Sequence, residues 1–524
     1  MVSRRIIKMN FIENLENNVK TTTENGAVAY ATTGSKLLDF FYKVSSFRKN
    51  PVDYSLFDEA YYQDKAMVLR FLLFLRDVRE GMGERDTFRK LLLHLTEIDM
   101  PISNRFLYMV DLPDFGRWDD YIYLFANTKY EGLKRYIAAV LQEELDDDLY
   151  NYSNGKPYSL LAKWMPSINT SSKKTVAVGN ELRKYFRMSP SQYRKTLSKL
   201  RKGLDVLEVK LSSNKWDKVD YSHVPSLANI KYKDSFLKHD FDRRKEYLID
   251  VACGKKKINA NSMFLYDIIH AYEKDADSNG YYLPPVDDTL ENLWASQKKP
   301  STFADTLVVR DGSYSMTTYV SKNVSAMEIG DSIALYCAKN NTGVFKDKIM
   351  AFSNNPKMIT VSCNTLRDNI EKLMKNTACS TTNVESVFNL ILKTAKKCNA
   401  RQADMPKNVL IISDMQFNAA MCDKDAFGFP LRNQNVQEDD TLFENIEKKY
   451  NACGYELPKL IFWNVSCYND GTVPIQSSRN GVILLSGFSK ELVDMVCCSD
   501  LDPYKALCRQ LNKPRYDVVE EIFK

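Results

Sequence analysis

Thr306-Leu307-Val308-Val309-Arg310-Asp311-Gly312-Ser313-Tyr314-Ser315-Met316 is the stretch on which the reading of this chain turns. Residues 306–309 form a short β-branched run of the kind that makes a buried strand. Behind it, oxygen-bearing side chains recur at every second position. In an extended segment residues two apart point the same way, so Asp311, Ser313 and Ser315 aim three oxygens at one point, while Gly312 and Tyr314 face away. Hard oxygen donors of low total charge suit Mg²⁺ or Mn²⁺ and not a thiolate metal. Alone, the pattern is short enough to arise by chance, so its surroundings decide.

Outward from this point, β-branched runs alternate with helical stretches. Strand candidates lie at 306–309, 348–352, 358–361, 409–412, 460–465 and 482–485, with helix candidates near 325–340, 365–376, 384–398, 441–453 and 489–498. That alternation predicts an α/β doubly wound, mostly parallel sheet covered by helices on both faces. Ligands of such sheets sit beyond the carboxyl ends of central strands. The 409–412 strand ends in Ser413-Asp414, which brings a second carboxylate to that edge. Between the two strands, Ser380-Thr381-Thr382-Asn383 precedes a helix carrying Val384, Val387, Phe388 and Ile391. Simpler readings stay open: Thr382 as a helix N-cap and Asp414 as a turn residue.

Residues 1–300 read as mostly helical. Residues 64–79 form an apolar-rich run closed by Gly81 and Gly83, and 84–95 restart with acids in the first turn, as in a helical hairpin. Ser189-Pro190-Ser191-Gln192 has the form of a capping box. Tyr193, Leu197, Leu200, Leu204 and Leu207 follow at helical spacing. Several such pairs suggest a solenoid-like or bundled domain. The expected division is 1–300 helical, 301–500 sheet domain and 501–524 a C-terminal helical tail.

Of 524 residues, 44% are hydrophobic and 27% charged, ordinary for a globular chain and wrong for a disordered or collagen-like one. No apolar run is long enough for a membrane helix, and Asn10, Glu13 and Glu16 interrupt the N-terminus before a signal segment forms. We expect a cytoplasmic protein. All 11 Cys lie at or after Cys253 and none is spaced C-x-x-C, which reads as reduced thiols rather than disulfides or a zinc site. The net charge of +6 is concentrated, because residues 156–202 carry 12 Lys and Arg against the single acid Glu181. Lys173, Lys174, Arg183, Lys184, Arg187, Arg194, Lys195 and Arg201 are interleaved there with Tyr185, Phe186 and Tyr193. Cations neutralise phosphates and aromatic faces stack unpaired bases. A solvated helix face with core aromatics is the competing reading.

The order D-x-S-x-S, then Thr, then Asp resembles the metal-ion-dependent adhesion site of von Willebrand factor A domains. The resemblance implies Ser313, Ser315 and Thr382 as ligands, with Asp311 and Asp414 completing the shell and a partner's carboxylate often taking the last position. Ala351-Phe352-Ser353 also matches that family's second-strand ending. Arg76-Asp77-Val78-Arg79-Glu80-Gly81-Met82-Gly83-Glu84-Arg85-Asp86 resembles a signature of TROVE domains, the RNA-binding ring of Ro ribonucleoproteins, which share this two-part layout. A closer resemblance runs to an uncharacterised domain-of-unknown-function family. It rests on Pro113-Asp114-Phe115-Gly116-Arg117-Trp118-Asp119-Asp120, Ala162-Lys163-Trp164, Ser413-Asp414-Met415-Gln416-Phe417, Gly454-Tyr455-Glu456-Leu457-Pro458 and Phe462-Trp463-Asn464. Two departures stand out. Asn383 follows Thr382 where Asp is more usual, and Arg310 precedes Asp311 where an apolar residue is usual, adding a cation near the ion.

The expected function is a non-catalytic RNA-binding scaffold whose partners are a small structured or single-stranded RNA and a protein ligand offering a carboxylate to the metal. The alternative is a metal-dependent protein–protein adaptor that never touches nucleic acid. An enzyme is not expected, since no phosphate-loop, zinc-protease or nucleophile-elbow motif occurs.

Overall fold

The computed structural model describes residues 20–23, 28–276, 282–300, 303–352, 355–377, 383–417, 442–467, 473–474, 481–496 and 502–524. The chain forms two compact units. One comprises Met1–Phe71 and Ala260–Pro514, the other Leu72–Asn259 and Arg515–Lys524.

The first unit is built on a six-stranded sheet of β1 (Thr306–Asp311), β2 (Lys348–Phe352), β3 (Lys357–Thr360), β4 (Asn408–Ser413), β5 (Lys459–Asn464) and β6 (Val482–Ser486). Their order is β6-β5-β4-β1-β2-β3. Neighbours run parallel except β2 and β3, which are antiparallel. Strands covered on both faces read as nearly continuous apolar runs. Accordingly every residue of β1 and β6 is buried, as is all of β4 and β5 beyond the first position. The chain travels outward from β1 to β3, then returns to lay β4 on the other side of β1. That reversal opens a crevice beyond the carboxyl ends of β1 and β4.

The boundary expected at residue 300 lies elsewhere. The Lys36–Lys43 helix, with Leu38 and Phe41 fully buried, packs on β6. Ser45 Oγ meets Ser486 Oγ at 3.0 Å, and the Asn50 side chain donates to the Cys467 carbonyl at 2.9 Å. Residues 283–291 belong to the same unit. Arg367 donates to the carbonyls of Leu283 (2.9 Å) and Pro284 (3.0 Å), and Glu291 accepts the Leu366 N–H at 2.7 Å. The physical reason is that helical periodicity shows which face of a helix is buried, not which partner buries it. The 501–524 tail is divided too: Pro503–Leu511 belongs to the sheet unit and Val518–Phe523 to the helical one.

The second unit is helical, including Arg85–Ile98, Asp119–Asn127, Glu131–Ser153, Lys173–Tyr185 and Pro190–Gly203. Its charged signature at 76–86 is an ion-pair network inside the turn. Arg76 Nε and Arg89 Nε share the buried carboxylate of Asp120 at 2.9 and 2.6 Å. Asp77 accepts from Arg515 Nε at 2.5 Å and from the Tyr516 hydroxyl at 3.1 Å. Gly81 closes the turn because a Cβ there would lie 2.1 Å from the Phe74 carbonyl oxygen. Among the described residues, no helix is long and apolar enough to cross a membrane.

Candidate functional site

The crevice at the carboxyl ends of β1 and β4 gathers four of the five expected metal ligands. Asp311 ends β1 with no exposed surface, Ser313 and Asp414 are 3% exposed, and Ser315 is half-buried. The Ser313 N–H donates to Asp311 Oδ1 at 2.8 Å. The Ser313 and Ser315 hydroxyls lie 2.9 Å apart. Just past β4, the Gln416 N–H donates to Asp414 Oδ1 at 3.1 Å. That turn holds Met415 at φ 65°, a conformation a non-glycine residue adopts at a cost. Thr382 lies outside the described residues. Its competing role as helix cap is met nearby, since Asn383 Oδ1 accepts the Ser386 N–H at 3.1 Å ahead of the Glu385–Cys398 helix.

Ser413 is a site residue that the sequence reading leaves out. Its hydroxyl donates to Asp311 Oδ2 at 2.5 Å and accepts the Met415 N–H at 3.0 Å. It thereby ties the end of β4 to the carboxylate of β1. The signal was present as the residue before Asp414 in a run that otherwise consists of apolar strand residues.

Electrostatics separates this cluster from an ordinary turn. Burial first, and the Asp414 charge second, push the Asp311 carboxyl up to about 7. Burial also raises Asp414, partly offset by the Ser315 hydroxyl bonded to it. Two dehydrated carboxylates side by side resist joint ionisation unless a cation compensates them. The donor set fits such a cation: two carboxylates and neutral hydroxyls, all hard oxygen.

Arg310 does not add charge to this cluster as its sequence position suggests. Adjacent strand residues face opposite ways, and the Arg310 guanidinium forms a two-pronged pair with Asp331 of the Ala326–Asn340 helix. Nη2 is 2.8 Å from Oδ2, and Nε bonds Oδ1. Its Nη1 donates to Thr377 Oγ1 at 2.7 Å. Asp331 thus neutralises it away from the ligands.

The expected RNA-binding residues lie on the Lys173–Tyr185 and Pro190–Gly203 helices and the turn between them. Lys173, Lys174, Lys184, Arg187, Arg194 and Lys195 are exposed. Arg183 and Arg201 are not available in the same way. Arg183 Nε donates to Asn180 at 2.8 Å. Arg201 donates to the carbonyls of Ala162 (2.8 Å) and Met165 (2.6 Å) and to Ser167 Oγ (2.8 Å). Two of the interleaved aromatics are internal and Tyr185 is half-buried. Phe186 and Tyr193 are buried, the Tyr193 hydroxyl donates to the Pro166 carbonyl, and the Tyr185 hydroxyl donates to Glu131. The block is a cationic surface over two buried aromatics, with Tyr185 alone of the three keeping part of its ring accessible.

Two models of uncharacterised families match the chain. Residues 305–502 match the domain of unknown function DUF7788, and residues 23–98 and 122–304 match the domain of unknown function DUF2828. Neither is described as a TROVE or von Willebrand A domain. The chain is similar to the uncharacterized protein L728 of Acanthamoeba polyphaga mimivirus, with 28% identity over 530 residues, covering 94% of this chain and 87% of the relative. Among solved structures it aligns with the Ro (RSR) protein of Deinococcus radiodurans over 93% of this chain and 87% of that one. The identity is 12% and the TM-score 0.29.

Proposed function

We propose that the protein is a non-catalytic scaffold. In this reading the sheet unit is a von Willebrand A-type domain holding Mg²⁺ or Mn²⁺ through Asp311, Ser313, Ser315, Thr382 and Asp414. The helical unit is TROVE-like or HEAT-like, and its basic face takes a small structured or single-stranded RNA. The supporting observation is the pair of buried carboxylates at the point where the strand order reverses, with serine hydroxyls bonded to both and Arg310 spent on Asp331. When bound, the ion supplies positive charge to both carboxylates and a site for a carboxylate of an acidic partner. Asp311, held by Ser413 and the Ser313 N–H, fixes the cluster's position. His270 is bonded to Glu328 at 2.6 Å.

Thermal melting of the full chain with and without Mg²⁺ tests the metal reading. A ligand at a hundred times its Kd stabilises by about 2.7 kcal/mol, so a rise of a few degrees is expected. Asp311→Ala removes that rise while keeping the apo fold; an equal rise in the variant would discard these ligands.

The adaptor reading without nucleic acid is favoured by one observation, the burial of Phe186 and Tyr193. Titration with single-stranded RNA across salt concentrations separates the two. Each neutralised phosphate contributes a slope of about −0.7 in log K against log salt. Charge reversal at Lys184, Arg194 and Lys195 should flatten that slope. RNA affinity without salt dependence would leave the adaptor.

A further inference from the structure

Three of the sequence stretches that the function above leaves unused meet in one cavity of the helical unit. Arg79, the segment from Asp111 to Trp118, and Trp164 line an open cleft of about 690 Å³, closed on its other side by the Glu131–Ser153 helix. That is the scale of a pocket that accepts a ligand or an inserted side chain.

Its lining is predominantly acidic. Asp111 and Asp114 stand on one wall, and Glu143, Glu144 and Asp147 on the other. None of these carboxylates forms an ion pair with a described residue. Burial raises Glu144, with the charges of Asp148, Asp111 and Asp147, against a hydrogen bond from Ser159; burial and Asp114 raise Asp111 against the opposing charge of Arg79. Arg79 and Arg117 are the basic residues of the lining, which leaves a net charge of three negatives. Arg117 and Lys163 already lie over the Trp164 ring, 5.0 and 6.0 Å from its centre, which leaves Trp118 as the indole for an incoming cation. Trp118 and Trp164 are half-buried, so each keeps part of its surface turned to solvent. At the rim Leu160 is 54% exposed beside Val140 and Pro113, an apolar strip beside the charges.

These features select among ligands. Among the described residues no three acidic, His or Cys side chains gather as metal ligands, so the carboxylates are spread along the cleft rather than focused on a point. Net negative charge disfavours a phosphate-bearing ligand. Guanidinium and ammonium groups satisfy both halves of the lining, since carboxylates pair with the charge and indoles attract it by cation–π interaction while covering the alkyl stem. Arg117 over Trp164 shows that geometry within the molecule itself.

We propose that this cleft is a docking site for an arginine- or lysine-rich peptide segment of a partner protein, distinct from the metal centre and from the basic face. Charge complementarity carries the choice of occupant, and the exposed apolar rim favours a chain with alkyl stems over a free ion.

The test uses the full chain and an arginine-rich octapeptide, followed by intrinsic tryptophan fluorescence, with the glutamine-for-arginine octapeptide as control. The native protein should bind the first and not the second. Glu143→Gln with Asp147→Asn, both exposed in the free protein, should weaken binding by at least about tenfold. Asp146→Asn with Asp242→Asn, exposed acids outside the cleft lining, should leave it within about twofold. Trp118→Phe should cut affinity further when added to the first pair. Equal weakening by both pairs means diffuse charge attraction and overturns the proposal. So does absence of binding by the native chain. Spermine that displaces the peptide at equal or lower concentration would make the cleft a polyamine site, which overturns the peptide as its occupant.

Discussion

Arg201 and Lys195 are six residues apart in one basic helical segment and have opposite roles. Arg201 donates to three oxygens of the 162–167 segment and is lowered in pKa by burial, while Lys195 is exposed. Sequence shows the same charge at both positions, because whether a side chain meets a carbonyl depends on a loop 34 to 39 residues earlier. Arg201→Ala should therefore cost about 2–4 kcal/mol through unpaired carbonyls, and Lys195→Ala less than about 0.5 kcal/mol, both read by denaturant unfolding. Gly116 makes a comparable point about close approach. A Cβ there would come 2.3 Å from Asp120 Oδ2 and 2.6 Å from Arg76 Nε. Gly116→Ala should destabilise the helical unit by about 1–3 kcal/mol by forcing that buried pair apart. Asp311, Ser313, Ser315 and Asp414 were readable because strand alternation and strand ends are local properties. Ser413 was hidden because its role is a bond to a carboxylate 102 residues away.

At the scale of elements, the strands of the large sheet were legible nearly to the residue. Buried parallel strands need continuous apolar runs, and such runs have few alternative uses. The short pair Lys20–Thr22 and Val28–Tyr30 was not, since three residues carry too little pattern. The 4-3-4-3 spacing from Tyr193 to Leu207 also ran past its helix. The helix stops at Gly203, Asp205 turns with φ 51°, and Leu207 begins another helix. Elements are tied by specific contacts, and one of these titrates. His270 of the Leu265–Glu273 helix meets Glu328 of the Ala326–Asn340 helix, and that hydrogen bond raises the His270 pKa above 6.5. A raised folded-state value means the contribution is complete below the unfolded value and disappears as pH climbs through the folded one. Melting temperature should thus fall from pH 6.5 upward, and His270→Gln should flatten that fall. An identical pH profile in the variant would remove the pair from this role.

For the whole molecule, the division into units is the largest difference from what the sequence suggests. Composition changes near residue 300, and texture is what a linear reading detects. Packing instead assigns residues before 72 to the sheet unit. A fragment of residues 301–500 should therefore behave as a partly folded species. It lacks the Lys36–Lys43 and Pro503–Leu511 helices, both of which touch β6. Near-ultraviolet circular dichroism should show lost tertiary signal in that fragment, and a native-like spectrum would contradict this account.

The first two of the chain's three crossings, after residues 71 and 259, carry a consequence for how the protein is made. Ser45 emerges from the ribosome long before Ser486, its partner 441 residues later. At ordinary translation speeds that interval lasts roughly 20–90 s. Throughout it Leu38, Phe40 and Phe41 have no strand to cover them, while residues 72–259 are made. Assembly of the sheet unit is in this sense a post-translational event, and its earliest-made segment is the one a holding chaperone would have to guard longest.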